Sequence, residues 1–392
     1  MYDVVIIGAG ASGIMSACLI KEKNPTYNVL LLEKNDKIGK KLLITGNGKC
    51  NLGNINFNLD NYNSNIKILE NKKELFDKYI INLEKIGIII KEDDGRLYPY
   101  TNQALSVCKS FERYLNKLGV EIKYNYNVDN VIKKQNIYLI NNEISTSNVI
   151  IATGGLSYPK TGSTGKGYEI LKSFNHTINK TYPALTYLKT NYKYMKEIKG
   201  VRFDGNVSLL VDNEVKALEY GQIQFTENAL SGICVFNISS NVKKYLEDNK
   251  KVQVKIDLAP KLNISDYLYK FIDYKVEDAL SGILNNKLAY AISKELKLHG
   301  YMIKELNNKQ IKGVDNLVHN YLFDIIDVGD FDVAQVTKGG ATISEFTDNL
   351  ESIYSKGLFA IGEVLDIDGK CGGYNLAWAF ISAIMISEYI GG

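Results

Sequence analysis

At 392 residues the chain is long enough for two or three domains, each with its own core. A content of 45% hydrophobic and 23% charged residues is ordinary for a globular protein, and a net charge of +3 gives no reason to expect a nucleic-acid partner. Five scattered cysteines without a C-x-x-C, and only three histidines (His176, His299, His319), exclude the usual zinc and iron–sulfur spacings and offer no disulfide framework.

The chain opens on an apolar, β-branched run, Tyr2 to Ile7, of strand length. Gly8-Ala9-Gly10-Ala11-Ser12-Gly13 follows, then a helical stretch from Ile14 to Lys23 stopped by Asn24-Pro25. A second strand, Val29 to Leu32, ends on Glu33. Strand, G-x-G-x-x-G turn, helix, strand and acid make one βαβ unit for a dinucleotide. Gly8 permits the tight turn, Gly10 lets a pyrophosphate approach the backbone, and Gly13 lets helix and strand pack closely. The helix N-terminus offers free N–H groups and a positive dipole end to the phosphates. Glu33 can accept bonds from ribose hydroxyls, which favours FAD or NAD over NADP.

Lys34 begins a loop that continues through Gly39-Lys40-Lys41 to Thr45-Gly46-Asn47-Gly48-Lys49-Cys50-Asn51. Glycines flanked by cations suit a segment lying along a phosphate or an isoalloxazine edge; a solvent-exposed lysine loop is the other reading. Residues 60–90 read as two charged helical stretches without assignable chemistry, and a further helix starts near Thr101. Val120 to Ile140 alternates as strands of a small sheet, and by position a main-chain group near Val128 can meet an adenine edge. Ser147 to Ile151 is a buried strand running into Ala152-Thr153-Gly154-Gly155, at the end where a doubly wound sheet holds its nucleotide. Gly162 to Gly167 lacks the P-loop order, which rules out an NTPase, and His176 reads as structural.

From about Thr186 the character changes. Strands are expected at Val207–Val211, Tyr220–Phe225 and Val252–Leu258, and an amphipathic helix at Ser231–Leu246. Helices are expected at Ile264–Phe271, Leu288–Leu298 and Lys309–Phe323. Glycine signals of the dinucleotide type return at Val336-Thr337-Lys338-Gly339-Gly340. They continue through Gly362-Glu363-Val364-Leu365-Asp366 to Gly372-Gly373-Tyr374-Asn375-Leu376, which opens a last helix reaching Tyr389. Backbone N–H groups at Gly372-Gly373 would stabilise charge on the flavin pyrimidine edge, and Asp366 could bond the ribityl hydroxyls. The expected class is therefore α/β: a Rossmann-like FAD-binding domain (1–185 and 336–392) interrupted by an insert. The insert comprises a β part (186–262), a helical part (263–322) and a return (323–335).

These blocks, from Gly8–Gly13 through Thr45–Asn51 to Gly372-Gly373-Tyr374-Asn375-Leu376-Ala377-Trp378-Ala379, resemble in order and over nearly the whole length the BaiN and aminoacetone oxidase-like flavoproteins. The resemblance implies FAD, a split Rossmann-like domain and redox chemistry on steroid-like enones or small amino ketones. On that basis Ala11, Ser12, Lys34, Lys40, Lys41, Gly362, Glu363, Tyr374, Asn375 and Leu376 join the expected FAD contacts. The sequence departs from the family at Phe225-Thr226-Glu227-Asn228-Ala229-Leu230-Ser231-Gly232-Ile233, where the family histidine is Glu227 and its proline is Ile233. Lys166 also stands where an aspartate is common.

The expected function is hydride transfer between flavin and a small organic substrate held between the flavin and the insert. Candidate proton donors or anchors are Lys338, Glu227, Tyr374 and Arg202, with Lys338 best placed after a strand entering the FAD domain. No second G-x-G-x-x-G follows a strand, so NAD(P)H enters as a transient donor only. The alternatives are a flavin-dependent tRNA-modifying enzyme, which predicts a basic face that a net charge of +3 does not favour, and a non-catalytic flavin-binding protein. The first apolar run is too short for a signal peptide. The longest apolar stretch, near Leu376 to Ile386, is about eleven residues, too short to cross a bilayer. A cytoplasmic location without membrane or metal is the expectation.

Overall fold

The computed structural model describes residues 1–62, 68, 70 and 73–390, with the backbone alone for Lys73. The first of the two charged stretches expected in 60–90 falls largely outside the described residues; the second is a helix, Lys73–Lys85. The chain forms two compact units, Met1–Thr181 with Phe331–Gly392, and Tyr182–Asp330.

The first unit is built on a seven-stranded sheet. Tyr2–Ile7 lies between Val29–Leu32 and Ile144–Ile151, parallel to both. Val29–Leu32 pairs in parallel with Glu121–Lys123 at one edge. The other edge of Ile144–Ile151 is shared: its start pairs with the antiparallel strand Ile137–Ile140, its end with the parallel strand Leu358–Ala360. Val131–Lys134 completes the sheet beside Ile137–Ile140. The strands expected in Val120 to Ile140 thus extend the main sheet and do not form one of their own. Val4, Val5 and Ile6 are fully buried, as a parallel strand covered on both faces requires.

The last helix, Tyr374–Tyr389, packs against both the first helix, Ala11–Lys23, and Lys73–Lys85. It is apolar almost all round because both its sides are covered. Phe380 stacks between Tyr79 and Phe111 with ring centroids 6.0 and 6.1 Å away, and Trp378 is 1% exposed.

The second unit is a closed barrel of six strands in the order Leu188–Thr190, Ala229–Ser231, Glu214–Phe225, Arg202–Val211, Val252–Asp257, Tyr321–Val328. Its interior is filled by Val207, Ile223, Phe225, Val254, Ile256 and Phe323, so it is a packed core and not a ligand cavity. The expected helix Ser231–Leu246 is instead a strand end followed by two short helices, Ile233–Ser239 and Val242–Glu247. The expected helix Lys309–Phe323 stops at His319, and Tyr321 opens a strand whose Tyr321, Phe323 and Ile325 alternate inward. A period of two beats a period of 3.6 there because the barrel needs its closing strand. Leu268, Leu288, Ile292 and Val314 of the helical stretch share one core with the barrel strands, within the unit Tyr182–Asp330.

Candidate functional site

The opening turn has the stereochemistry its glycines imply. Gly8 has φ +107°, and a Cβ there would sit 2.5 Å from the Ala152 carbonyl oxygen. A Cβ on Gly13 would stand 1.9 Å from the Gly8 oxygen. Gly10 differs: it is extended (φ −81°, ψ −173°), caps the helix Ala11–Lys23, and a Cβ there would meet nothing within 4 Å. Glu33 is 8% exposed and already committed on both oxygens. One accepts from Ala9 N (2.9 Å), the other from Asn35 N (2.8 Å) and Asn35 Nδ2 (2.6 Å). It therefore braces the glycine turn, and its remaining lone pairs are what it can offer a ribose. The segment leading to Val128 is tied to this corner by Tyr126 N to Glu33 O (2.9 Å) and Asn125 N to Asn35 O (2.9 Å).

Three loops and the start of the strand Val336–Ala341 meet at the carboxyl ends of the parallel strands. Lys41 Nζ donates to Glu363 Oε2 and to Ser157 Oγ, both at 2.6 Å. Glu363 Oε1 accepts from Thr337 N (2.8 Å) and Ser157 Oγ (3.0 Å), and Thr337 Oγ1 accepts from Leu156 N (2.7 Å) and Ser157 N (3.0 Å). Gly155 must be glycine here, since a Cβ would fall 2.4 Å from Thr337 Oγ1. Lys41 and Glu363 are thus ion-paired within the protein and do not stand free toward a phosphate. Lys40 pairs with Asp36 (2.9 Å), and Lys34, whose ammonium is weakened by burial, donates to Thr164 Oγ1 (3.1 Å).

Two hydroxyls at this edge, Thr153 Oγ1 and Tyr168 OH, are buried without a hydrogen-bond partner among the described residues. Tyr168 is 7% exposed, and its hydroxyl lies 3.1 Å from where a Gly155 Cβ would be. Buried polar atoms are almost always satisfied, so a pair of orphans beside a Gly-Gly turn fits a polar ligand completing the site. FAD has the hydroxyls and phosphates to do so, and the open space at Gly10 fits its pyrophosphate.

The far end of the chain closes on the beginning. A Cβ on Gly362 would meet Ser12 Oγ at 2.7 Å, and one on Gly373 would meet the Gly53 carbonyl oxygen at 2.5 Å. Gly362 is fixed by Trp378 Nε1 donating to its oxygen (3.1 Å) and by its N–H donating to Ser382 Oγ (3.0 Å). With its amide oriented to suit its neighbours, Asn51 donates to Gly53 O (2.8 Å) and accepts from Gly373 N (3.3 Å). The Thr45–Asn51 loop carries left-handed backbone at Gly46, Asn47, Gly48 and Cys50, and Thr45 Oγ1 donates to Leu42 O (2.8 Å). Cys50 is fully buried and burial pushes its thiol up to about 12, so it packs and does not react.

Several expected contacts have other work. Asn375 closes its own loop, accepting from Gly369 N and donating to Gly369 O, both at 2.8 Å. Asp366 accepts from Asn179 Nδ2 (2.7 Å). Leu376 is partly buried against the core. Tyr374 is 7% exposed, donates to Asn56 O (3.4 Å) and is held in its neutral form by burial. Glu227 is exposed in the second unit and paired with Lys199 (2.9 Å), whose hydrogen bond and charge lower its carboxyl below the usual range. It stays ionised at neutral pH and is a poor proton donor. Arg202 is exposed on a barrel strand of the same unit. Lys338 lies on the strand Val336–Ala341 and pairs with the buried Asp368 at 3.4 Å. His176 is buried, bonded to Ser352 Oγ (2.7 Å) and stacked on Phe346, a structural residue. Ser157, Tyr168, Thr337 and Asp368 lie outside the expected site residues: Ser157 and Thr337 meet 180 positions apart, Asp368 pairs with Lys338 30 positions away, and the Tyr168 hydroxyl has no partner among the described residues, so no short motif marks any of them.

The profile of the HI0933-like protein Rossmann domain matches residues 2–389. The chain belongs to that family. It is 33% identical to the 3-dehydro-bile acid delta(4,6)-reductase of Clostridium scindens, covering 98% of each chain. It is 27% identical to the ribosomal RNA dihydrouridine synthase of Haemophilus influenzae, covering 97% of this chain and 96% of that one. Among solved structures, a flavocytochrome c3 fumarate reductase superposes with a TM-score of 0.50 at 15% identity, covering 99% of this chain and 78% of that one, which speaks for the fold alone. The protein is an FAD-dependent oxidoreductase with a Rossmann-type FAD-binding domain and an insert, as the resemblance implied. No helix among the described residues is long and apolar enough to cross a membrane.

Proposed function

We propose that the protein reduces a carbon–carbon double bond conjugated to a carbonyl, taking a hydride by way of FAD and a proton from the protein. One observation carries this: full-length 33% identity to a reductase whose name specifies such a bond in a 3-oxo steroid. The more distant relatives named as dihydrouridine synthases also reduce a double bond conjugated to a carbonyl, in uracil, so both names describe one reaction on two substrates.

Gly8, Gly10, Ala11, Ser12 and Gly13 would take the pyrophosphate. Glu33, with the Val128 segment, would take the adenosine end. Thr153, Gly154, Gly155 and Tyr168 would satisfy hydroxyls along the cofactor, and Gly373 would face the flavin edge. Bound FAD supplies the hydride, renewed from a nicotinamide donor. The chain's own contribution is to hold Lys338 as an ammonium that delivers the proton as the hydride arrives at the β-carbon. Before it does so, the same ammonium offsets the negative charge developing on the substrate carbonyl oxygen, and the proton it then gives goes to the α-carbon.

The test is anaerobic. Purified holoprotein is reduced with NADH or NADPH, and its flavin absorption is followed as conjugated steroid enones, simple enones and saturated ketones are added. Reoxidation by enones and not by saturated ketones is the expected result; reoxidation by none of them refutes the substrate class. An RNA substrate is favoured only by the dihydrouridine synthase relatives, and a salt-dependent gel shift with ribosomal RNA separates it.

A further inference from the structure

The turn 369–374, which opens the last helix, is held by a strap made of residues 51–62. Asn51, oriented as above, accepts from Gly373 N (3.3 Å), and Asn54 Nδ2 donates to Gly372 O (3.3 Å). Asn61 O accepts from Lys370 N (2.8 Å), and Tyr62 forms an antiparallel bridge with Gly369. A glycine suits that position, since a Cβ there would stand 3.1 Å from the Tyr62 ring. One further tie falls on the helix itself. Tyr62 OH donates to Tyr374 O (2.9 Å), and the two rings meet edge to face with centroids 5.9 Å apart. Tyr62 is 7% exposed, and burial raises its phenol far above the usual range, so the hydroxyl keeps the proton it donates.

The Tyr374 carbonyl and the Asn375 N–H belong to one planar amide. A donor on the oxygen polarises that amide and makes its N–H a stronger donor in turn. The N–H groups of Tyr374, Asn375 and Leu376 have no partner within the helix, because they lie in its first turn. We infer that Tyr62 is a positioning residue for the flavin: through the Tyr374 carbonyl it fixes the helix start and strengthens its donation to the pyrimidine edge, so that bound FAD is reduced more readily. This rests on the reading that the turn at Gly373 faces that edge. Negative charge on N1 and C2=O is greatest in the reduced flavin, so a stronger donor there stabilises the reduced state more than the oxidised one. Tyr62 itself touches neither flavin nor substrate in this scheme. The oxygen it meets is also the one the helix ladder reaches from Trp378 N, so the hydroxyl is not needed merely to satisfy that carbonyl.

The experiment measures the midpoint potential of bound FAD, anaerobically and against reference dyes. It compares FAD-loaded wild type, Tyr62→Phe, Tyr79→Phe and a protein carrying fluorotyrosine in place of Tyr62. Polarisation along one bond strengthens the next by about 10–30%. On a bond to a charged acceptor that is about a two- to fourfold change in the ratio of reduced to oxidised flavin, or about 10–20 mV for a two-electron couple. Tyr62→Phe keeps the ring and is expected to lower the potential by that amount. Fluorotyrosine, a stronger hydroxyl donor of nearly the same shape, is expected to raise it. Tyr79 is fully buried in the same aromatic cluster, and its hydroxyl has no partner among the described residues, so Tyr79→Phe should leave the potential unchanged. Equal potentials in all the proteins overturn the inference. So do shifts of one sign in Tyr62→Phe and the fluorotyrosine protein, which altered packing alone would give. The reading of the turn is tested separately, in wild type. If the helix start faces N1 and C2=O, bound reduced FAD stays anionic below the pH at which free reduced FAD takes up its second proton. A bound reduced flavin that protonates as free FAD does overturns that reading and the inference with it. An anionic one without a Tyr62 shift overturns the inference alone.

Discussion

At the scale of single residues, the three glycines of the opening turn separate into two kinds. Gly8 and Gly13 serve the fold, because an added Cβ would strike backbone within the unit. Gly10 serves the ligand, because nothing in the protein occupies its missing side chain. Gly13→Ala is expected to destabilise the apoprotein by about 1–3 kcal/mol through overpacking, read as a lower midpoint of urea unfolding. Gly10→Thr keeps a good helix cap and should leave that midpoint within about 0.5 kcal/mol. It should nonetheless abolish retention of FAD, seen as loss of the yellow flavin band after gel filtration. Unchanged retention would remove the assigned pyrophosphate contact. Sequence alone named all three positions, but only coordinates tell which glycine answers to the chain and which to its ligand.

At the scale of elements, long-range polar ties decide how loops are held. Lys41 and Glu363 are 24% and 19% exposed and link a loop near the start of the chain to one near its end. Lys41→Met leaves the Glu363 carboxylate without its cation and should cost about 1–3 kcal/mol, less than a fully buried pair would. The double variant Lys41→Met/Glu363→Leu should recover part of that loss, measured by a double-mutant cycle in denaturant. Strictly additive losses would show that the two side chains act independently.

His176 gives a pH dependence with a defined sign. Burial, outweighing the pull of Glu345, lowers its affinity for a proton in the folded chain. Below about pH 6.5 the unfolded chain takes up a proton that the folded one resists. The contribution is therefore complete above that pH and is lost as pH falls toward the folded value. Thermal unfolding of wild type should decline from pH 7 to 5 more steeply than that of His176→Gln. Parallel curves would mean that other groups dominate.

At the scale of the whole molecule, two hydrophobic cores predict two folding units. Calorimetry of the apoprotein should resolve two transitions, and added FAD should raise the one belonging to the unit that contains Gly8–Gly13, by mass action on the folded state. A single transition at all FAD concentrations would contradict that division. The sequence reading located the change of character near Thr186 and the return near Val336; the compact units divide at Thr181/Tyr182 and Asp330/Phe331. It read the strands and glycine turns of the first unit well, since each carries a local pattern of apolar run and breaker. It read the insert less well. A barrel strand such as Tyr321–Val328 abuts a helix without a glycine or proline between them, and helices packed on a barrel lack a core of their own to mark them out.

The order of residues along the chain, by itself, determined the βαβ entry, the cofactor class and the family, because these rest on backbone stereochemistry and on motifs a few residues long. Tertiary structure alone decided which side chains are free to act. Glu33, Lys41, Glu363 and Asn375 have the chemistry of ligand contacts, yet each is engaged by groups of the protein itself. Two hydroxyls, Thr153 Oγ1 and Tyr168 OH, are left without a partner among the described residues. The reason is geometric: a hydrogen bond is satisfied by whatever lies within about 3 Å, and which groups come that close is set by folding and not by spacing along the chain.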